Sequence, residues 1–370
     1  MKRQRSQFRF ALVVAGIAVA GFVGSLLITH ADDAGNSLPN PYRMVEGWGK
    51  SLPAGRPWGS TNAVTVDSKD HIWVAERCGG NSCADSPLDP ILEFDADGNL
   101  IKSLGAGMFV VPHGVYVEKN GNVWATDNSG KDGKGQQVIK FSPEGKLLLT
   151  IGKPGVQKSG EDTFIGPAAC ISAPNGDIII ADGHHPRPLT VEGDRLVRYS
   201  KDGKFIRAYG KQGTAPGEFM GPHSLAYDSQ GRLFVADRSN NRIQIFDKDM
   251  NFVDEWRHFG RPSGVAILKD DTLVVADSES SYTGFRPAEL GPPGPEVRGV
   301  PRNAGWQPGI RVGSAKDGSL RYFISATRPE GMGADDQGDI FGGLTAQCSS
   351  AGADRPTPGG PNCLQKWVKK

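Results

Sequence analysis

Apolar positions along this chain fall in short runs closed by Gly, Asn or Asp, not in stripes at helical spacing. In "RIQIFDKDMNFVDEW", "RLVRYSKDGKFIRAYG" and "QVIKFSPEGKLLLTIG" apolar and polar residues alternate on either side of bends at Asn251, Gly203 and Gly145. That alternation predicts antiparallel strand pairs joined by tight turns. Just upstream of two of these runs stand "VPHGVYVEKNGNVWATD" (Val111–Asp127) and "GPHSLAYDSQGRLFVAD" (Gly221–Asp237), each predicting two further strands around a Gly turn.

The second pattern is a repeat. Blocks of the form Pro, any residue, a small residue, apolar run, turn, apolar run and acid begin at Pro112, Pro167, Pro222 and Pro262. Their acids are Asp127, Asp182, Asp237 and Asp277. Weaker copies begin at Thr61, ending at Glu76, and at Pro329, where Leu344 replaces the acid. Six units of four antiparallel strands predict an all-β, six-bladed propeller over residues 41–370. The last unit ends at "CLQKWVKK" without a fourth strand, and "YRMVEGWGK" (Tyr42–Lys50) reads as that missing strand. Pairing the two would close the ring and remove two sheet edges. The Pro/Gly-rich stretch beginning "SYTGFRPAELGPPG" in the fifth unit reads as an inserted loop over one face.

Composition agrees with many turns, with 50 Gly and 26 Pro. A formal net charge of +1, with no basic run past the N-terminus, gives nucleic acid no footprint. Residues 1–31 join a basic stretch to an apolar run from Phe10 to Ile28 and then Thr29-His30-Ala31. This is the form of an export signal, with an uncleaved membrane anchor as the alternative. We therefore expect a monomer outside the cytoplasm, periplasmic or secreted, touching membrane only through that segment. Five cysteines suit an exported chain. Local disulfides Cys78–Cys83 and Cys348–Cys363 are expected, leaving Cys170 as a free thiol.

In a propeller the first strand of each blade lines the central channel. The residue after each block's first position then forms a ring: Asn62, His113, Ala168, His223, Ser263 and Glu330. His113, His223 and Glu330 come from alternate blades, about 120° apart by the symmetry of the fold. Two imidazoles and a carboxylate aimed at one point are a ligand set for zinc or another divalent transition metal. One such histidine alone would pass for a hydrogen-bonded polar residue at a strand end. The threefold set argues for a metal. His71 and His258 lie off the ring and read as surface residues. The acids Glu76, Asp127, Asp182, Asp237 and Asp277 share one phase and read as acceptors for backbone N–H groups at turns.

The segments "VVPHGVYVEKNGNVWATD", "DGHHPRP" and "GPHSLAYDSQGRLFVADRSNNRIQIF" resemble the peptidyl-α-hydroxyglycine α-amidating lyases, and the repeat as a whole resembles the NHL type. The resemblance implies a six-bladed propeller that cleaves a C-terminal α-hydroxyglycine to a peptide amide and glyoxylate, with zinc on its axis. It carries two zinc histidines over to His113 and His223, and the active-site arginine to Arg77 in "WVAERCGG". Glu330 stands where that family has its third histidine. Gly331 replaces an aspartate associated with calcium, so no calcium is expected there. His184 replaces the catalytic tyrosine. On this reading zinc acts as a Lewis acid, Arg77 pairs with a substrate carboxylate or oxyanion, and His184 moves a proton. The substrate would be small or peptide-derived. Two other readings compete: a non-catalytic propeller that binds a protein, peptide or glycan, and a metal-dependent lactonase-like hydrolase.

Overall fold

The computed structural model describes residues 35–49, 52, 56–184, 193–280, 303, 305–345 and 363–370. Six four-stranded antiparallel sheets follow one another around a central axis. In the first five, strand order in the sheet is strand order in the chain. The sixth is built from Gly331–Ala334, Ile340–Gly343 and Leu364–Lys369, with the N-terminal strand Tyr42–Met44 as its outer member. Tyr42 pairs with Lys369 and Met44 with Trp367, so the closure expected from the sequence is present. Residues 1–31 and Cys348 lie outside the described residues, as does nearly all of the inserted loop of the fifth blade.

Burial follows position in the blade. Second strands such as Ile72–Glu76, Ile178–Asp182 and Leu233–Asp237 are buried along their whole length. Fourth strands such as Leu147–Ile151 are largely exposed. The core is divided into six apolar clusters, one between each pair of neighbouring blades. Cys78 and Cys83 are bonded to each other, Cys363 also sits in a disulfide, and Cys170 is free and buried.

Two features of the repeat position the channel. First, each acid ties down the loop that enters its own blade. Asp127 accepts the backbone N–H groups of Val110 and Val111, at 2.6 and 2.7 Å. Asp182 accepts those of Ile165 and Gly166, both at 2.9 Å, and Asp237 that of Met220, at 2.7 Å. Second, the register between first and second strands shifts right after its first pair, for example between Pro222 and Ser224 and between Pro112 and Val115. Asn62, His113, Ala168, His223 and Ser263 all sit in these irregularities. A bulge turns its extra residue out of the pleat, and this one turns the side chain toward the axis.

The next position must then be small. A Cβ on Gly114 would lie 2.6 Å from the carbonyl oxygen of Ala168, and one on Gly331 would lie 2.5 Å from that of Asn62. Inner strands of adjacent blades approach too closely there for a side chain.

Candidate metal centre

The inner strands enclose a channel of about 200 Å³ whose lining includes all six ring residues. At its mouth the side chains of His113, His223 and Glu330 meet. Glu330 Oε1 lies 3.1 Å from His223 Nε2 and 3.7 Å from His113 Nε2. The rings of the two histidines are 4.8 Å apart between centroids.

Each histidine is oriented by the next blade. His113 Nδ1 donates to the carbonyl of Ala168 at 2.8 Å, and His223 Nδ1 to that of Ser263 at 2.6 Å. With Nδ1 protonated, the neutral ring carries its lone pair on Nε2. Both Nε2 atoms are buried and accept no hydrogen bond. Two lone pairs thus face a carboxylate oxygen with no proton between them. An orphaned arrangement of that kind is costly unless a cation occupies it, so these residues fit a divalent metal. Carbonyl-oriented imidazoles are also how proteins hold metal-ligating histidines.

Burial sets the charge states. Desolvation lowers His223 to about 4, with help from Arg238, and lowers His113 as well. The rings are neutral, as ligands must be. Burial works to raise Glu330, but His113, His223 and Arg238 outweigh it and hold the carboxyl well below its ordinary range.

His184 joins the cluster. Its ring centroid is 4.4 Å from that of His113 and 5.0 Å from that of His223. Donor atoms of His113, His184, His223 and Glu330 all lie within 4.8 Å of one another. Burial, the other imidazoles and Arg238 push His184 well below its usual value. Its neighbour His185 lies outside the described residues.

Arg77 is buried, donates to Asn81 Oδ1 at 2.5 Å, and leaves Nε without an acceptor. Burial lowers it to about 10, and the charge of Glu330 pulls it back up.

The sequence reading missed Arg238, whose guanidinium nitrogen lies 3.5 Å from Glu330 Oε1. The signal was there: Arg238 follows Asp237 as Arg77 follows Glu76. The residue after the acid forms a second tier around the axis, and blades one and four face each other across it. Asn128 belongs to the same tier, with its side-chain amide 2.9 Å from His184 Nδ1. A further group, Asp67, His71 and Glu93, also has ligand spacing. There Asp67 accepts from the backbone of Lys69 and His71 and from Trp73 Nε1, while His71 Nδ1 sits on Glu93.

Residues 219–246, which include His223 and Arg238, match the NHL repeat. The chain is 32% identical over 287 residues to NHL repeat-containing protein 3 of Homo sapiens, covering 72% of this chain and 78% of that one. The chain belongs to the NHL-repeat family. This NHL-repeat protein is also 29% identical over 189 residues to a probable peptidyl-alpha-hydroxyglycine alpha-amidating lyase of Caenorhabditis elegans, covering 50% of this chain and 51% of that one. Among solved structures, a gluconolactonase of Xanthomonas campestris superposes with a TM-score of 0.54 at 16% identity, covering 88% of this chain and 89% of the other. That likeness is one of fold. It leaves the chemistry of the NHL-repeat channel to its own residues.

Proposed function

We propose that this protein is an exported, metal-dependent carbon–nitrogen lyase that splits an α-hydroxyglycine-type substrate into an amide and glyoxylate. One observation carries the reading: bare imidazole nitrogens and a carboxylate converge on the axis beside the Arg238 guanidinium. Similarity to a lyase of that name supports it. Zinc suits the imidazole-rich set, and when bound it supplies Lewis acidity toward a hydroxyl oxygen.

The rest falls to the chain's own residues. Arg77 and Arg238 offer planar forks to the substrate carboxylate, in a buried site where such pairs are strengthened. A group of the axial cluster takes the proton of the carbinol hydroxyl. As that O–H bond breaks, its electron pair closes the C=O bond of glyoxylate. The C–N pair withdraws onto nitrogen, which takes the proton back. Nothing is oxidised or reduced. The substrate is a small molecule or a peptide, and the protein acts as a monomer without nucleic acid.

The test is zinc-loaded protein given a peptide ending in α-hydroxyglycine. Glyoxylate should appear in step with the peptide amide, and the release should vanish in His113→Ala and His223→Ala along with the bound zinc. Metal-loaded protein that releases no glyoxylate would overturn the lyase reading. Protein that takes up no metal would favour a binding propeller.

A further inference from the structure

We propose that the metal's protein ligands are three imidazoles, His113, His184 and His223, and that Glu330 stands beside the metal as the group that handles the substrate's proton. This rests on the metal-dependent reading above and assigns the roles within its cluster.

Three observations carry it. The three rings form a nearly equilateral triangle, with centroids 4.4, 4.8 and 5.0 Å apart. Three neutral imidazoles with one open position are an established set for catalytic zinc.

Next, each ring has a hydrogen-bond partner at Nδ1. Ala168 and Ser263 carbonyls engage Nδ1 of His113 and His223, and the Asn128 amide engages Nδ1 of His184. In this structure Asn128 Nδ2 faces the ring. A half-turn of the amide puts Oδ1 there, keeps Nδ1 protonated and leaves the His184 Nε2 lone pair for the metal. The Ser129 hydroxyl, 3.3 Å from the amide, can donate or accept and so tolerates either orientation. Asn128 is itself fixed: its carbonyl accepts from Gln136 Nε2 at 2.9 Å, and Gln136 is buried with a left-handed φ of 58°. A non-glycine residue held in that region marks a backbone committed to placing its neighbours.

Finally, Glu330 already has a cationic partner in Arg238. Its contacts with Arg238, His223 and His113 all run to Oε1, and Arg238 offsets its charge. Arg238 keeps the carboxylate ionised, the form that can accept the carbinol proton and return it to the leaving nitrogen, with the bond changes given above.

Zinc affinity measured by chelator competition, with the visible spectrum of the cobalt(II)-substituted protein, separates the roles without reference to catalysis. His184→Ala and His113→Ala should each weaken zinc at least about tenfold, and His184→Ala should alter the cobalt bands. Glu330→Gln should keep zinc affinity within about threefold, against that tenfold scale. The reverse result, with zinc lost in Glu330→Gln and unchanged in His184→Ala, would overturn the assignment. If circular dichroism shows His184→Ala unfolded, Asn128→Leu replaces it, with an expected loss of about tenfold and an unchanged affinity counting against us. Wild-type protein that binds no zinc would overturn this and the metal-dependent function together. Protein that binds zinc through the three histidines and yields no glyoxylate would overturn the lyase reading alone.

Discussion

Arg77 and Arg238 differ in how they are held, and this decides what each can contribute. Arg77 is buried, with Asn81 fixing one end of its fork. Arg238 is half-buried and leans on Glu330. A charged hydrogen bond to substrate is worth about 1.5–3 kcal/mol, so Arg238→Gln should weaken glyoxylate binding by roughly 10- to 150-fold in titration calorimetry. Arg238→Lys should recover only part of it, because an ammonium keeps the charge and loses the planar fork. Equal affinities in all three proteins would remove Arg238 from the substrate's carboxylate. The pairing of these arginines was readable as a phase, since each follows the acid of its block. The contact of Arg238 with Glu330 was not, because it depends on how far two side chains reach across a channel.

At the scale of the element, the histidines are held by a device that recurs around the ring. In the His113 block the acid anchors the loop ahead of the inner strand, and the bulge after it turns the ring residue inward. Asp127→Ala would leave the buried N–H of Val110 and the half-buried N–H of Val111 unpaired. At about 1–3 kcal/mol for each such group, unfolding free energy should fall by about 2–6 kcal/mol in a denaturant titration. Asp127→Asn, which keeps one acceptor oxygen, should lose about half as much. A loss near zero for both would mean that the acids do not fix the loops. The alternation in each block already marked strands and turns. The bulge was hidden, because a single residue out of register leaves the apolar pattern on either side intact.

For the molecule as a whole, the axial cluster sets an acid limit. Burial lowers His223 to about 4, whereas an unfolded histidine titrates near 6.5. Between these values the unfolded chain binds the extra proton, so this group's contribution to stability falls as the pH falls. Metal-free wild type should therefore lose stability relative to His223→Gln as the pH drops from about 6.5 to about 4, by on the order of 2–3 kcal/mol. Parallel melting curves across that range would show that the ring is not buried neutral. How much was legible beforehand follows the same physics. Repeat length, strand alternation and the paired ends at Tyr42 and Lys369 determined a closed six-bladed ring, because each is a local pattern that hydrogen bonding and apolar burial read directly. The sixfold winding also put His113, His223 and Glu330 at one phase, and phase is a property of sequence. Tertiary structure alone decided how far the side chains reach: that His184 closes on His113 and His223, that the Asn128 amide meets His184 and Arg238 meets Glu330, and that two Nε2 lone pairs face one carboxylate oxygen. Those are side-chain distances of a few ångströms between blades, set by packing and desolvation, and no spacing along a chain encodes them.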